Sequence, residues 1–135
     1  MSVPVIEVRG LKTYFPTRSG MLHAVDDVTL KIERGTTLGV VGESGCGKST
    51  LGRTIIHLLE RTAGEIYLNG EDISDLKGKR LREAREKMQI IFQDPYSSID
   101  PRKTVEFTIC EPLKVSKKYS KAQIAQISEE LMELV

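Results

Sequence analysis

The sequence predicts an α/β fold, and three observations support that prediction. Residues 5–15 and 24–32 are rich in β-formers that partly alternate with other residues. A short apolar run at residues 37–41 leads directly into a glycine-rich loop, and apolar residues at helical spacing follow the loop. A stretch from residue 120 combines a helix start signal with an apolar helical face. Strands, a loop and helices in this order indicate an α/β domain.

The opening of the chain is predicted to be an antiparallel β unit. Residues 16–20 supply turn formers between the first two strands, and Gly35 ends the unit. Residues 37–41 are apolar and short, which is typical of a strand buried on both faces. We therefore expect this third strand to lie inside the domain and to position the loop that follows.

A helix and more β structure are predicted after the loop. From Lys48 onward, one helical stripe is apolar, and its members are Leu51, Ile55, Leu58 and Leu59. Within residues 64–70, the pair Asn69 and Gly70 fits a tight hairpin whose central residues need positive φ. Residues 88–93 form another apolar run and are predicted to be a strand that Asp94 and Pro95 end, and a loop is expected as far as Pro101.

Two helices are predicted in the last third of the chain. The first covers residues 104–110 and is limited by Pro112. The second begins at a capping box formed by Ser120 and Gln123. Its apolar face consists of Ile124, Ile127, Leu131 and Leu134. The chain stops at Val135 without a helix stop signal, so we expect this end to be a cut within a longer subunit.

Composition indicates a soluble globular protein. Hydrophobic residues make up 39% and charged residues 29% of the 135 residues, and no apolar run has the length of a bilayer span. With 20 basic and 19 acidic residues, the net charge of +1 gives no global attraction to nucleic acid or anionic lipid. The start of the chain shows no secretory signal. Two cysteines, Cys46 and Cys110, are too few for a disulfide framework and are predicted to be free thiols.

The glycine-rich loop matches the spacing G-x-x-x-x-G-K-[ST] that binds a nucleoside triphosphate. It comprises Gly42, Glu43, Ser44, Gly45, Cys46, Gly47, Lys48, Ser49 and Thr50. Its glycines allow backbone N–H groups to converge on phosphate oxygens, and the start of the next helix adds partial positive charge at the same point. This motif, placed between a strand run and a helix, predicts binding of a nucleoside triphosphate, but the motif alone does not separate kinases, GTPases and transport ATPases.

Three side chains of the loop have predicted roles toward ATP and Mg²⁺. Lys48 should place its ammonium between the β- and γ-phosphates, so it is expected to serve both binding and catalysis. Ser49 supplies a hard oxygen ligand for Mg²⁺, which bridges the same phosphates. Thr50 begins the helix and is expected to contact the α-phosphate.

With its surroundings included, the loop resembles one family of P-loop proteins. The residues that carry the resemblance lie at 38–51, 64–66 and 91–95, and together they are similar to the ATP-binding subunits of ABC transporters. Residues 42–53 and 92–102 resemble the oligopeptide and dipeptide importer branch. The resemblance covers nearly the whole chain.

The resemblance implies roles for three residues outside the loop. Gln93 stands where the family has a glutamine that reaches Mg²⁺ or the attacking water, which makes it a second metal ligand and catalytic residue. Tyr14 matches the aromatic residue that stacks on adenine, and Val25 is expected to pack on the same base. A tyrosine in a strand also packs at the edge of a core, so this second interpretation of Tyr14 stays open.

The resemblance also implies the architecture and the setting of the chain. Residues 1–34 would begin an antiparallel β subdomain, residues 35–93 an incomplete P-loop core of the ABC ATPase type, and residues 94–135 the start of a helical subdomain. The subunit would dimerise with a second ATP-binding subunit and dock on transmembrane permease subunits at the cytoplasmic face of the membrane, without inserting into it. It would bind no nucleic acid. The solute stays open between peptide and nickel.

Three catalytic motifs of the family have no match in residues 1–135. The family's signature loop, catalytic glutamate and switch histidine all follow the position of Gln93, and no match to them is present. His23 and His57 precede Gln93 and do not replace that histidine. We therefore expect this chain alone to be inactive as an ATPase.

Three alternatives to this function fit parts of the sequence. A GTPase would fit the D-x-x-G motif at residues 75–78, although no motif that recognises the guanine base accompanies it. A nucleic-acid-binding module would use the basic stretch at residues 77–87, which lacks interleaved aromatic residues. The third alternative is a nucleotide-binding fragment that retains the P-loop but does not hydrolyse.

Overall fold

The computed structural model describes residues 3–94 and 99–134, and the chain divides into two units, residues 1–89 and 90–135. Each unit is described by itself. The first contains β1 (Ile6–Thr17), β2 (Gly20–Ile32), α1 (Lys48–Ile55), β3 (Ala63–Leu68), β4 (Glu71–Asp72) and α2 (Gly78–Arg85). The second contains α3 (Val105–Ser116) and α4 (Lys121–Glu133). Part of the loop predicted before Pro101, residues 95–98, lies outside the described residues.

The first unit is built on a four-stranded antiparallel sheet in the order β2-β1-β3-β4. The predicted pairing of the two opening strands is confirmed, but both strands are longer than expected. Their turn shrinks to residues 17–20, where the Thr17 hydroxyl donates to the Gly20 carbonyl at 2.7 Å. Irregularities in the register between Val8 and Tyr14 change which residues of β1 and β2 face each other.

The core of this unit lies between the sheet and α1. Val8, Leu11 and Ile66 are completely buried, and Leu51 of α1 packs with them at 8% exposure. A buried contact between hydroxyl oxygens, Thr13 Oγ1 and Thr54 Oγ1 at 3.1 Å, joins β1 to α1. Because α1 begins directly after the glycine-rich loop, this packing positions the loop against the sheet.

The tight hairpin predicted at Asn69 and Gly70 is confirmed. These residues have φ of 51° and 82° and connect β3 to β4. Positive φ at both central positions is the geometry that matches the twist of two antiparallel strands, and Asn-Gly tolerates it well.

Two predicted strands do not form. Residues 37–41 pair with no strand in the described part of the chain, and Val41 is 92% exposed. Residues 88–93 also form no strand, with Ile91 97% exposed. An apolar run becomes a buried strand only when neighbouring strands satisfy its backbone groups and cover its side chains, and no described segment does so here.

The helix after the loop is shorter than its apolar stripe. It ends at Ile55, and His57 follows with a left-handed φ of 58°, so Leu58 and Leu59 lie outside the helix. The predicted stripe is therefore correct for Leu51 and Ile55 and wrong for the other two residues. A residue with positive φ terminates a helix because it turns the chain away from the helical path.

In the second unit, α3 packs against α4. The expectation that Pro112 limits the first helix is wrong, since α3 continues through it to Ser116. The capping box at Ser120 and Gln123 is confirmed, with both reciprocal hydrogen bonds present. On the apolar face of α4, Ile124 is buried, whereas Leu131 and Leu134 are 42% and 79% exposed.

Candidate functional site

The glycine-rich loop is shaped by close contact with β2. Gly47 has φ of 93° and approaches Ala24 so closely that a Cβ at this position would lie 2.1 Å from the Ala24 carbonyl oxygen. Gly45 also has positive φ, 81°, in the turn before it. Only glycine meets both demands at position 47, a left-handed backbone and no side chain.

The N-terminus of α1 opens onto this loop without a cap. Gly47 is the N-cap residue, no side chain accepts from the first-turn amides, and the first turn contains no acidic residue. The regular helical hydrogen bonds begin with Leu51 N–H donating to the Gly47 carbonyl at 2.8 Å. Uncapped first-turn N–H groups together with the helix dipole are a donor set that suits an anion.

Lys48 folds back over the loop. Its Nζ donates to the carbonyl oxygens of Gly42 at 2.8 Å and Glu43 at 2.6 Å, and lies 3.5 Å from Cys46 Sγ. The ammonium is thus held by main-chain oxygens rather than by a carboxylate. No ion pair observed within residues 3–94 and 99–134 joins Lys48 to a carboxylate, so its positive charge beside the uncapped helix further favours an anionic ligand.

The other predicted loop ligands are accessible. Glu43, Ser44 and Cys46 are exposed, and so is Ser49 in the first turn of α1. Thr50 is half-buried, and its carbonyl oxygen accepts from the Thr54 hydroxyl at 2.8 Å. The Ser49 hydroxyl suits Mg²⁺, a hard cation that prefers oxygen ligands and retains waters. Among the described residues, no group of three His, Cys, Asp or Glu side chains could hold a metal ion by itself.

A cavity of about 690 Å³ connects the loop with β2. Gly47 and Lys48 line one part, and His23, Val25 and Asp26 of β2 line another. Val25, predicted to pack on a base, is 5% exposed and belongs to the core cluster as well as to the cavity wall. The structure therefore places the phosphate-binding loop and the predicted base-contacting strand around one space.

Tyr14 lies beside this cavity but does not line it. Its ring stacks on His23 with 3.8 Å between the centroids and 9° between the planes. Its hydroxyl donates to Asp26 Oδ1, a bond that lowers the pKa of Asp26 and raises the pKa of Tyr14. The Lys12 ammonium, 3.4 Å from the same oxygen, further lowers the pKa of Asp26. The sequence reasoning missed His23 and Asp26, because their proximity to Tyr14 depends on the irregular register of β1 and β2.

Gln93 belongs to the second unit, where it is exposed and lies outside helix and strand. Its assignment to Mg²⁺ and to the attacking water stays a prediction. Within residues 3–94 and 99–134, no helix is long and apolar enough to cross a membrane.

Three features together match the geometry of a P-loop: the glycines of residues 42–47, the uncapped start of α1 and the lysine folded over the loop. The family comparison then places it among known proteins. The chain belongs to the ABC transporter family, whose model matches residues 25–134. The fold prediction of a P-loop ATPase of this type is confirmed.

Individual relatives agree with this assignment. The chain is 48% identical to the oligopeptide transport ATP-binding protein OppF of Bacillus subtilis (strain 168), over 100% of this chain and 45% of that protein. It is 44% identical to the corresponding protein AppF of the same strain, over 95% of this chain and 41% of that protein. A dimeric ATP-binding cassette in a post-hydrolysis state bound to ADP and Pi superposes with a TM-score of 0.78 at 23% identity, covering 95% of this chain and 56% of that one. The chain thus spans less than half the length of these two sequence relatives.

Proposed function

We propose that this chain binds Mg-ATP as part of the ATPase subunit of an ABC importer. The observation that carries the proposal is the uncapped N-terminus of α1 beside the Lys48 ammonium, since the two offer backbone donors and a full positive charge to one anion. On binding, Lys48 would exchange its contacts with the carbonyls of Gly42 and Glu43 for phosphate oxygens, which are stronger acceptors because they are charged.

The metal ion has a proposed ligand in the first turn of α1. Ser49 would hold Mg²⁺ through its hydroxyl, and the cation would neutralise charge on the β- and γ-phosphates. The resemblance to the family also assigns Gln93 a role as an oxygen ligand of Mg²⁺. The first-turn amides would orient the phosphates. Tyr14 and Val25 would form the side of the site that meets the base, in keeping with the position of Val25 in the cavity wall.

The transported solute is proposed to be an oligopeptide or a dipeptide, and the names of the two relatives support oligopeptides. The subunit would act with a second ATP-binding subunit and with permease subunits at the cytoplasmic face of the membrane. The dimeric state of the matched cassette structure supports the first of these partners.

Residues 1–135 are proposed to bind ATP without hydrolysing it. The family's signature loop, catalytic glutamate and switch histidine have no match in this sequence. Phosphoryl transfer depends on positioning and charge stabilisation from several groups at once, so Lys48, Ser49 and Gln93 alone would leave the attacking water unoriented.

Replacing Lys48 by alanine tests the proposal. Lys48→Ala should weaken Mg-ATP binding by roughly 10- to 100-fold, because a charge-assisted contact contributes about 1.5–3 kcal/mol. The affinity for ADP should fall less than the affinity for ATP, since ADP lacks the γ-phosphate. The measurement is isothermal titration calorimetry on the purified chain.

A matched control is Lys79→Ala. Lys79 lies on α2, its side chain is 89% exposed, and it does not line the cavity. This change should leave ATP affinity unaltered. Equal ATP affinity in wild type and Lys48→Ala would refute the proposed role of the loop, and GTP binding as tightly as ATP would favour the GTPase alternative.

A further inference from the structure

Another cavity, of about 360 Å³, lies within the first unit. Its walls come from the segment that follows α1, the segment that precedes α2 and one side of α2. It shares no lining residue with the cavity beside Lys48, and no residue of the glycine-rich loop lines it. A volume of this size is within the range of small-ligand pockets, about 300–1,000 Å³.

Three cationic side chains from three segments line this cavity: Arg61, Lys77 and Arg85. Arg85 donates through Nε to the Ile56 carbonyl at 3.4 Å and through Nη2 to the His57 carbonyl, so main-chain oxygens fix its guanidinium. An arginine has five N–H donors, and these two bonds do not use all of them. A guanidinium held in this way is suited to the oxygens of a phosphate or a carboxylate.

Two carboxylates, Asp75 and Glu60, also line the cavity. Arg61 donates to Asp75 at 2.8 Å and to the Ser74 carbonyl at 3.3 Å. The Arg61 side chain is only 18% exposed, whereas Asp75 is 92% exposed. An ion pair whose carboxylate lies in water contributes little, so Asp75 can yield Arg61 to a more highly charged acceptor. A phosphate dianion is such an acceptor.

His57 adds a polar group to the wall of the cavity. Its Nε2 is buried and has no hydrogen-bond partner in the described part of the chain. Burial lowers the pKa of His57, and the positive charges of Arg85 and Arg61 lower this pKa further, so both guanidiniums act on the ring. A buried polar atom without a partner is uncommon in folded proteins, and an absent ligand is one of its ordinary explanations.

The remaining part of the wall is apolar. Leu59, Leu76 and Leu81 line the cavity, and all three are half-buried. The cavity has room for more than a phosphate group, so an organic part of the ligand can lie against these leucines. Apolar contact of this kind stabilises a bound ligand by removing hydrocarbon surface from water.

We propose that this cavity binds a small phosphate monoester, with Arg61, Lys77 and Arg85 holding the phosphate and the leucines contacting its organic part. The ligand would leave the P-loop free, because the two cavities share no residue. This second anion site goes beyond the proposed binding of Mg-ATP, and each proposal can fail without the other.

Calorimetric titration with phenyl phosphate, inorganic phosphate and phenol tests the proposal. The titrations use the Lys48→Ala chain, in which binding of phosphate at the P-loop is weakened. Phenyl phosphate should bind more tightly than inorganic phosphate, and phenol should not bind. Lys77→Gln should weaken phenyl phosphate binding by roughly two- to fivefold, and Arg61→Gln by about tenfold or more. Asp75→Asn should instead tighten it by roughly two- to fivefold, because it removes the competing carboxylate.

Lys79→Gln is the matched control. Lys79 is two residues from Lys77, its side chain is 89% exposed, and it does not line the cavity, so its replacement should have no effect. Proton NMR of the two histidines gives a second measurement. Phenyl phosphate should raise the pKa of His57, because an anion offsets the charges of the two arginines, and should leave the resonances of His23 in place, since His23 does not line this cavity.

Tighter binding in Asp75→Asn, weaker binding in Lys77→Gln and no change in Lys79→Gln support the proposal. Equal losses in Lys77→Gln and Lys79→Gln would overturn it, since they indicate only general attraction between charges. Unchanged or weaker binding in Asp75→Asn, or a His57 pKa that phenyl phosphate does not raise, would also overturn it. Inorganic phosphate binding as tightly as phenyl phosphate would refute the assignment to a monoester. Failure of the wild-type chain to bind ATP would refute the proposed function alone.

Discussion

Gly47 is the residue whose identity the loop geometry restricts most. Its φ is 93°, and an added Cβ would meet the Ala24 carbonyl oxygen at 2.1 Å. Gly47→Ala should therefore destabilise the chain by about 1–3 kcal/mol through backbone strain and steric overlap. Displacing the loop from β2 should also weaken ATP binding. Urea unfolding and calorimetry measure the two effects.

Gly52→Ala provides the control for Gly47→Ala. Gly52 lies within α1, and an added Cβ there would have no atom within 4 Å. Alanine is the better helix former, so this change should stabilise the chain by about 0.5–1 kcal/mol. Similar losses of stability in both variants would show that the close approach to Ala24 is not the cause.

His57 makes the stability of the chain sensitive to mild acid. Burial lowers the pKa of His57 below its ordinary value of 6.5, and the positive charges of Arg85 and Arg61 lower this pKa further. As pH falls through 6.5, His57 is therefore protonated in the unfolded state before it is protonated in the folded state. The free energy of unfolding should therefore be highest above pH 6.5 and decrease below it.

His57→Asn should reduce this loss of unfolding free energy in mild acid. Asparagine tolerates the left-handed φ of 58° at this position and does not titrate. Urea unfolding at pH 7.5 and 5.5 measures the effect, and the loss of stability between the two should be smaller in the variant. Carboxyl groups with shifted pKa values include Glu7, Asp26 and Asp72. Their ordinary pKa values are 4.5 or less and folding lowers them, so these groups titrate below the range from pH 7.5 to 5.5. An identical pH dependence in both proteins would exclude His57 as the source.

At the scale of elements, the contact between β1 and α1 holds the P-loop in place. The Thr54 hydroxyl donates to the Thr50 carbonyl, so the bond between the two threonines is donated by Thr13. Both threonines are at most 1% exposed. Thr13→Val should cost about 1 kcal/mol of stability by removing this buried hydrogen bond.

A double-mutant cycle with Thr54→Val isolates that contribution. The two single changes should not add, because each removes the same hydrogen bond, and the coupling is expected to be about 0.5–1.5 kcal/mol. Strict additivity would mean that the two hydroxyls act independently. The affinity for ATP should fall along with stability in Thr13→Val, because α1 carries the first-turn amides of the site.

At the scale of the whole molecule, the chain is expected to bind ATP without hydrolysing it. The purified chain of residues 1–135 should bind ATP through its P-loop yet release phosphate no faster than its Lys48→Ala variant. The catalytic groups that the family adds to the P-loop have no match in this sequence. Release well above that variant, proportional to protein concentration, would contradict this prediction.

Exposed apolar segments should also affect the behaviour of the isolated chain. Residues 37–41 pair with no described strand, and Val41 and Ile91 are almost fully exposed. Exposed apolar segments of this kind associate readily with other chains, so the chain should self-associate as its concentration rises. This tendency is a reason to measure ATP binding at low concentration.

Features set by near neighbours in the sequence could be predicted. The loop at residues 42–50, the Asn69–Gly70 hairpin and the capping box at Ser120 each depend on a few adjacent residues and their backbone preferences. The family followed from the same local motifs. In each case the physical determinant, a positive φ, a missing Cβ or a short-range hydrogen bond, is already present in the residue types.

Features that depend on distant partners were decided by the tertiary structure. Residues 37–41 have the composition of a buried strand, but no described segment pairs with them, so they remain exposed. The stacking of Tyr14 on His23 depends on bulges in the β1–β2 register, which alternation alone does not predict. The sequence by itself thus determined the backbone geometry and the donor groups of the glycine-rich loop, because the residues that form it are close along the chain. Only the fold decided which strand forms and which ring faces the cavity, since pairing and burial depend on residues far apart in sequence.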